Sequence, residues 1–269
     1  MQGRLSPIVN NQIQCFPIDN WHREFQLANR IKLNLMEWTL DNDKIYSNPL
    51  MNIDGRKKIL ELSEKNNIEI KSLTGDCFMQ KPFWKKTPQQ EILKNTFIDI
   101  CYSCNEIGIR FIVIPLVDEG SINNEKDKSN LISFLLKNIS LFRKLSLVIL
   151  FESDFDPENL FYFIKDLPSD VFGINYDVGN SASLGYKPIK EFDFYGDRIL
   201  NVHIKDRKYK GNTVPLGEGD ADFKTVFSLL KQYNYCGNLI LQAARSINDQ
   251  HLEVLEVYKH FVLDWINNS

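Results

Sequence analysis

Four short apolar segments of the chain each close on a side chain that can bind a divalent metal ion. Those side chains are Glu152, Asp177, His203 and Gln242. Two carboxylates, an imidazole and an amide oxygen form a hard donor set that suits Mn²⁺, Mg²⁺, Co²⁺ or Zn²⁺. Each residue alone has a structural alternative, as a solvated loop carboxylate, a turn cap or a buried core histidine. Their joint placement at successive strand ends predicts one shared metal site.

The elements that must position these side chains alternate regularly along the chain. Apolar segments alternate with amphipathic helical ones, and strands are predicted near residues 3–5, 33–38, 68–73, 110–116, 147–151, 172–176, 199–204 and 239–242. Eight strands alternating with eight helices predict an α/β fold, a (β/α)8 TIM barrel forming a single domain over residues 1–269. Such barrels carry their chemistry at the C-terminal ends of the strands. A doubly wound open sheet is the alternative, but it needs fewer repeats.

Composition limits the classes of function. The 269 residues are 43% hydrophobic and 25% charged, which is typical of a globular protein, and the net charge of -3 offers no basic field to nucleic acid or to an anionic membrane. The N-terminus lacks the apolar block of a signal peptide, so a cytoplasmic location is expected. Five cysteines argue against a disulfide framework. The CxxC pair Cys101 and Cys104 falls in a predicted helix, where structural packing is favoured over redox or zinc chemistry.

Four local motifs extend the strand ends: Phe151-Glu152, Tyr176-Asp177-Val178-Gly179-Asn180, Val202-His203-Ile204-Lys205-Asp206 and Pro215-Leu216-Gly217-Glu218-Gly219-Asp220. Through them the chain resembles the xylose-isomerase-like sugar phosphate isomerase/epimerase family, most strongly over residues 147–245. The resemblance implies a TIM barrel that holds one divalent metal (Mn²⁺, Mg²⁺, Co²⁺ or Zn²⁺) through a Glu, Asp, His, Glu set. That set corresponds to Glu152, Asp177, His203 and position 242.

Position 242 departs from the family pattern, because this chain has glutamine there. In epimerases of this type, two glutamates flank the sugar carbon, and one removes a proton that the other returns on the opposite face. The amide of Gln242 can still bind metal through its oxygen, but it cannot act as a carboxylate base. Glu152 remains as the base. A one-base isomerisation, a relocated second base, a lyase or dehydratase reaction and a non-catalytic sugar-binding barrel all stay open.

Other polar residues should surround the barrel mouth. Lys205 and Arg207 follow the His203 strand end and could hold a phosphate or a sugar hydroxyl, although solvated loop charge is an equal alternative. Glu218 lies in a Gly-Glu-Gly turn and is a third candidate for substrate binding. Glu37 ends the second predicted strand, Asp76 follows the third, and both are candidate substitute bases.

The sequence therefore predicts a metal-dependent isomerase or epimerase of a sugar or sugar phosphate, with Glu152 moving the proton. The expected partner is this small molecule, with neither nucleic acid nor membrane, and a homodimer is left open. A phosphodiester hydrolase on the same barrel is disfavoured, because that chemistry uses many histidines and only His203 ends a predicted strand.

Overall fold

The computed structural model describes residues 1–2, 5–9, 15–246 and 248–268 of the chain. Among these residues, seven parallel strands form the main sheet and two short antiparallel strands form a hairpin beside it. The strands are β1 (Leu35–Thr39), β2 (Glu69–Thr74), β3 (Phe111–Leu116), β4 (Val148–Ser153), β5 (Phe172–Asp177), β6 (Ile199–Ile204), β7 (Asp206–Arg207), β8 (Thr213–Val214) and β9 (Asn238–Leu241).

Helices follow almost every strand and cover the outside of the sheet. They are α1 (Trp21–Arg30), α2 (Ile53–Asn66), α3 (Asp76–Gln80), α4 (Gln90–Glu106), α5 (Glu125–Lys137), α6 (Ile139–Lys144), α7 (Pro157–Ile164), α8 (Val178–Leu184), α9 (Pro188–Tyr195), α10 (Phe223–Gln232) and α11 (His251–Asn268). Every described helix is too short or too polar to span a lipid bilayer.

The sheet curves into a nearly closed barrel with the strand order β1-β2-β3-β4-β5-β6-β9. Gln2 lies between the two edge strands, since its backbone N–H donates to Leu241 O at 3.1 Å and it forms a parallel bridge with Glu37. The predicted barrel is confirmed, and among the described residues this bridge stands at the place of an eighth strand. Gly3 and Arg4 of the predicted strand at residues 3–5 lie outside the described residues, and Leu5 lies in a bend.

Strands with continuous apolar runs are buried on both faces, as the inner wall of a helix-covered parallel barrel requires. Ile112, Val113 and Ile114 of β3 are completely buried. Phe151 on β4 stacks on Phe172 of β5 with ring centroids 6.1 Å apart. These contacts fix the relative positions of the two strands that carry the first candidate ligands.

The pleat of β5 and β6 determines which side chains face the barrel interior. Asn175 pairs in register with Asn201, and Asp177 pairs with His203. Because side chains two residues apart lie on one face of a strand, these four polar groups form two adjacent layers inside the barrel. Tyr176 points the other way and donates to Glu191 of α9 at 2.8 Å.

The CxxC pair has the structural setting that the sequence favoured. Cys101 and Cys104 are free, fully buried residues of α4. Burial raises the pKa of both thiols above the ordinary value, so neither is an activated thiolate.

Candidate metal centre

Glu152, Asp177 and His203 meet at the C-terminal ends of β4, β5 and β6. One potential ligand atom from each residue lies within 4.8 Å of the other two. His203 Nδ1 is 3.2 Å from Glu152 Oε2 and 3.9 Å from Asp177 Oδ2. All three side chains are buried. Three of the four predicted metal ligands therefore converge on one point at the barrel mouth.

Glu37 fixes the orientation of the His203 ring from the far side of the barrel. Its Oε1 lies 2.8 Å from His203 Nε2. A carboxylate only accepts hydrogen bonds, so Nε2 carries the proton, and in the neutral ring Nδ1 presents its lone pair to the candidate ligands. A carboxylate behind a metal-binding histidine acts in this way in many metal sites.

Glu37 is held as a carboxylate by three donors from two strands, β2 and β6. Ser72 Oγ and Thr74 Oγ1 donate to it at 2.7 and 2.6 Å, and Asn201 Nδ2 donates at 3.2 Å. Burial opposes its ionisation, but the charge and hydrogen bond of His203 and the two hydroxyl donors outweigh burial and lower the pKa of Glu37 to about 2. Both oxygens are occupied, which suits a residue that orients His203.

Two amide groups hold the carboxylate of Glu152. Asn175 Nδ2 donates to Oε2 at 2.7 Å, and Asn180 Nδ2 donates to Oε1 at 2.7 Å. Asn175 Nδ2 also lies 3.1 Å from His203 Nδ1. The carboxylate is therefore fixed beside the imidazole nitrogen that faces it.

Asp177 caps the helix that follows it and also lies among the candidate metal ligands. Its Oδ1 accepts the N–H of Asn180 at 2.8 Å and caps α8, which is the turn cap that the sequence offered as the structural alternative. Its Oδ2 lies 2.6 Å from Lys205 Nζ. Burial opposes ionisation of Asp177, but the charge of Lys205 and contacts with His203 lower its pKa to about 2.

Gln242 reaches the centre through Lys205. It directly follows β9, is almost fully buried, and its backbone N–H donates to Ile204 O at 3.1 Å. Its Oε1 accepts from Lys205 Nζ at 2.9 Å. The ammonium group thus lies between Asp177 and Gln242, at the side of the centre where the family pattern has a second glutamate.

Arg207 and Glu218 lie in the loop region beyond β6. Arg207 donates from Nη1 to Asn180 Oδ1 at 2.8 Å and from Nη2 to Gly211 O at 2.8 Å. Glu218 is exposed. Its turn is fixed by Asp206, whose Oδ2 accepts the N–H groups of Gly217 and Gly219, both at 2.9 Å.

Sequence reasoning missed the asparagines that surround the ligands. Asn175 precedes Asp177 by two residues and Asn201 precedes His203 by two residues, so each shares the inward face of its strand with a ligand. A polar residue at that spacing inside an apolar run was the available signal. Asn180, three residues after Asp177, follows the same logic at the start of a helix.

The residues present fit a divalent metal ion. Metal to nitrogen or oxygen bonds of about 2.0–2.2 Å place two ligands at right angles about 3 Å apart. The distance from His203 Nδ1 to Glu152 Oε2 is close to this, at 3.2 Å, and that to Asp177 Oδ2 is longer, at 3.9 Å. Asp177 Oδ2 is buried and, among the described residues, has no aligned hydrogen-bond donor although Lys205 Nζ is near. The donor set is the hard nitrogen and oxygen type that suits Zn²⁺, Mg²⁺, Mn²⁺ or Co²⁺.

Comparison with protein families agrees with the barrel fold. The protein-family model described as "Xylose isomerase-like TIM barrel" matches residues 25–260. The chain belongs to this family. Among solved structures, a xylose isomerase domain protein from Planctomyces limnophilus superposes with a TM-score of 0.75 at 16% identity, covering 97% of this chain and 96% of that one. A xylose isomerase-like protein from Mycobacterium smegmatis in complex with magnesium gives 0.71 at 15%, covering 96% and 91%.

Local sequence relatives include an epimerase and a dehydratase. L-ribulose-5-phosphate 3-epimerase UlaE of Shigella flexneri is 31% identical over 99 residues, which are 35% of this chain and 32% of that protein. Inosose dehydratase of Clostridium tetani is 36% identical over 87 residues, 25% of this chain and 29% of that protein. The matches span about a third of the length of these relatives. The likeness to the solved structures, at 16% and 15% identity, establishes the fold alone.

Proposed function

We propose that the protein is a divalent-metal-dependent isomerase or epimerase of a sugar or sugar phosphate. The observation that carries the proposal is the convergence of Glu152, Asp177 and His203 at three successive strand ends, with His203 Nδ1 turned toward the two carboxylates. Membership in the family and the local similarity to a sugar phosphate epimerase support the substrate class.

In this proposal, Glu152, Asp177 and His203 hold one Mn²⁺, Mg²⁺, Co²⁺ or Zn²⁺ ion. The ion supplies Lewis-acid stabilisation of the negative charge that develops on substrate oxygens when a neighbouring C–H proton is removed. Glu152 takes that proton, and the amides of Asn175 and Asn180 keep its carboxylate in place. Glu37 keeps the Nδ1 face of His203 toward the centre.

Lys205 and Gln242 complete the proposed centre on its fourth side. Lys205 donates a hydrogen bond to a substrate oxygen or phosphate from the position where Asp177 and Gln242 hold its ammonium group. Gln242 is the fourth metal ligand through the same Oε1 that lies beside Lys205. Glu218, exposed in the loop after β8, remains a candidate for contact with the outer part of the substrate.

Gln242 also supports a second candidate function. A glutamine at the position of the second base favours a sugar-binding barrel without turnover, or a reaction that needs only one base. Proton removal by Glu152 followed by loss of a hydroxyl would be a dehydration, and the local similarity to an inosose dehydratase is compatible with it. The cytoplasmic location remains a prediction from the N-terminal sequence, and the absence of nucleic-acid partners remains a prediction from the net charge.

The test of the proposed function is proton exchange with solvent. The Mn²⁺-loaded protein is incubated in deuterated water with a panel of ketoses and ketose phosphates, and the sugars are analysed by NMR. The expected result is deuterium at the carbon next to the carbonyl of one substrate class. Binding of Mn²⁺ and of sugars without any exchange would favour the non-catalytic alternative, and elimination products would identify the dehydratase.

A further inference from the structure

Arg207 is connected to Glu152 through the side chain of Asn180. Arg207 Nη1 donates to Asn180 Oδ1 at 2.8 Å, and Asn180 Nδ2 donates to Glu152 Oε1 at 2.7 Å. The three side chains come from β7, α8 and β4, which are distant in the sequence. A single amide therefore connects the guanidinium group of the hairpin to the carboxylate of the candidate base.

The orientation of this amide follows from the charges on its two sides. The carbonyl oxygen of Asn180 faces a cation and the NH₂ group faces an anion. A rotation of the amide by 180° would place the oxygen against Glu152 and the NH₂ group against Arg207, and both contacts would be repulsive. Arg207 thus holds the NH₂ group toward Glu152.

Arg207 is itself fixed by the hairpin that carries it. Its Nε and Nη2 both donate to Gly211 O, at 3.2 and 2.8 Å. The backbone of Arg207 pairs with Thr213 in the β7–β8 ladder. A planar guanidinium can serve Gly211 O and Asn180 Oδ1 at once, whereas a lysine ammonium lacks the fork that spans the two acceptors.

We propose that Arg207 is a positioning residue: it acts through Asn180 to hold the Glu152 carboxylate against His203. Three of its five N–H groups donate to Gly211 and Asn180 and hold the guanidinium in this orientation. The consequence for metal binding rests on the proposed function, because Glu152 is there a ligand. The expected orientation of the Asn180 amide does not depend on the proposed function.

Mn²⁺ affinity, measured by the EPR signal of free Mn²⁺, separates positioning from simple charge. Removing a cation near a metal site should tighten binding, whereas loss of an outer hydrogen bond to a ligand typically weakens it about 10–100-fold. We expect Arg207→Met and Arg207→Lys to raise the Kd for Mn²⁺ about tenfold. Lys208→Met, which removes one charge from an exposed residue of the same hairpin, is the matched control and should not weaken binding.

A double-mutant cycle tests the path through Asn180. Asn180→Leu should weaken Mn²⁺ binding at least as much as Arg207→Met, and the double variant should bind no more weakly than Asn180→Leu alone. Additive losses would overturn the proposal. Unchanged or tighter binding by Arg207→Met and Arg207→Lys would also overturn it and return Arg207 to a substrate contact.

An NMR readout on the metal-free protein judges the proposal even if Mn²⁺ does not bind. The side-chain NH₂ signals of Asn180 are assigned by their loss in Asn180→Leu. One of the two protons donates to a charged carboxylate in the wild type, so the pair should be widely separated and should move closer together in Arg207→Met. Absence of Mn²⁺ binding by the wild type would contradict the proposed function alone, and an unchanged Asn180 pair in Arg207→Met would contradict the positioning role.

Discussion

Glu37 and His203 face each other across the inside of the barrel, with Oε1 and Nε2 2.8 Å apart. The two residues are 166 positions apart in the sequence, and both side chains are completely buried. The contact connects the first strand of the sheet to the sixth and sets which nitrogen of His203 faces the other candidate ligands. The stability of the barrel and the geometry of the centre therefore depend on the same pair.

Glu37→Gln should destabilise the metal-free protein. Removing one partner of a buried ion pair typically costs about 3–5 kcal/mol in the free energy of unfolding, and the lower end is expected here because Glu152 and Asp177 still lie beside His203. Urea unfolding followed by circular dichroism measures the difference. Glu69→Gln is the matched control, since Glu69 is an exposed residue of β2 paired with Lys71, and a surface change of this kind should cost less than about 0.5 kcal/mol.

The destabilisation by Glu37→Gln should depend on pH with a defined sign. The pKa of Glu37 falls from 4.5 to about 2 on folding, so its contribution is present above pH 4.5 and is lost as the pH falls toward 2. The pKa of His203 rises above 6.5, because the charge of Glu37 and hydrogen bonds outweigh burial, so its contribution is complete below that pH. The difference in the free energy of unfolding between wild type and variant should be largest between pH 4.5 and 6.5. It should become smaller as the pH falls from 4.5 to 3. A constant difference would exclude an ion pair.

Gln242→Glu should strengthen metal binding. The variant adds a carboxylate beside the Lys205 ammonium that already contacts Asp177. Two opposite unit charges about 4 Å apart near a protein surface attract each other by about 4 kcal/mol, so the added carboxylate should attract the metal ion. A decrease of the Mn²⁺ Kd by about tenfold or more is expected, measured by titration calorimetry. Gln250→Glu, at an exposed position before α11, is the control for net charge. Equal Kd values for the Gln242 variant and the wild type would place residue 242 outside the reach of the ion.

Lys205→Met should separate metal affinity from substrate affinity. Loss of the ammonium 2.6 Å from Asp177 removes a cation that repels the metal, so Mn²⁺ should bind several-fold more tightly. The KM of a substrate that exchanges its proton should rise in Lys205→Met, because the substrate oxygen or phosphate loses a hydrogen-bond donor. Lys205→Arg should restore part of the lost substrate affinity. Weaker Mn²⁺ binding by Lys205→Met would mean that the lysine supports Asp177 and does not compete with the ion.

Glu152→Gln should remove proton exchange from a substrate that the wild type exchanges. General acid or base catalysis by a positioned side chain contributes about 10²–10⁴-fold to rate, and an amide cannot accept the proton. The measurement is the rate of deuterium incorporation at saturating Mn²⁺, which compensates for weaker metal binding. Glu158→Gln, an exposed residue at the start of α7, should exchange at the wild-type rate. Exchange by Glu152→Gln within about threefold of wild type would identify another base.

The strand ends of the centre could be predicted from the sequence because the pattern there is local. An apolar run that stops at Glu152, Asp177 or His203 shows both the strand and the residue that leaves it at the mouth. The barrel class followed from the alternation of strands and helices. The strand ends and the barrel class together predict that the three side chains lie close together at the barrel mouth.

The remainder of the centre depends on contacts that no local pattern contains. In the described part of the chain, Gln2 bridges β9 and β1, and this contact depends on how far the other seven strands curve. Glu37 looked like a candidate base because it lies on β1, but its neighbours Ser72 and Thr74 belong to the next strand. The position of Lys205 between Asp177 and Gln242 likewise requires β5, β6 and β9 together.

The most direct test of the metal centre is a crystal structure of the protein soaked in Mn²⁺ and measured at a wavelength where manganese scatters anomalously. We expect one strong anomalous peak about 2.0–2.2 Å from His203 Nδ1 and from an oxygen of Glu152 and of Asp177. A peak at a different place, or a saturated crystal without a peak between these three residues, would contradict this expectation.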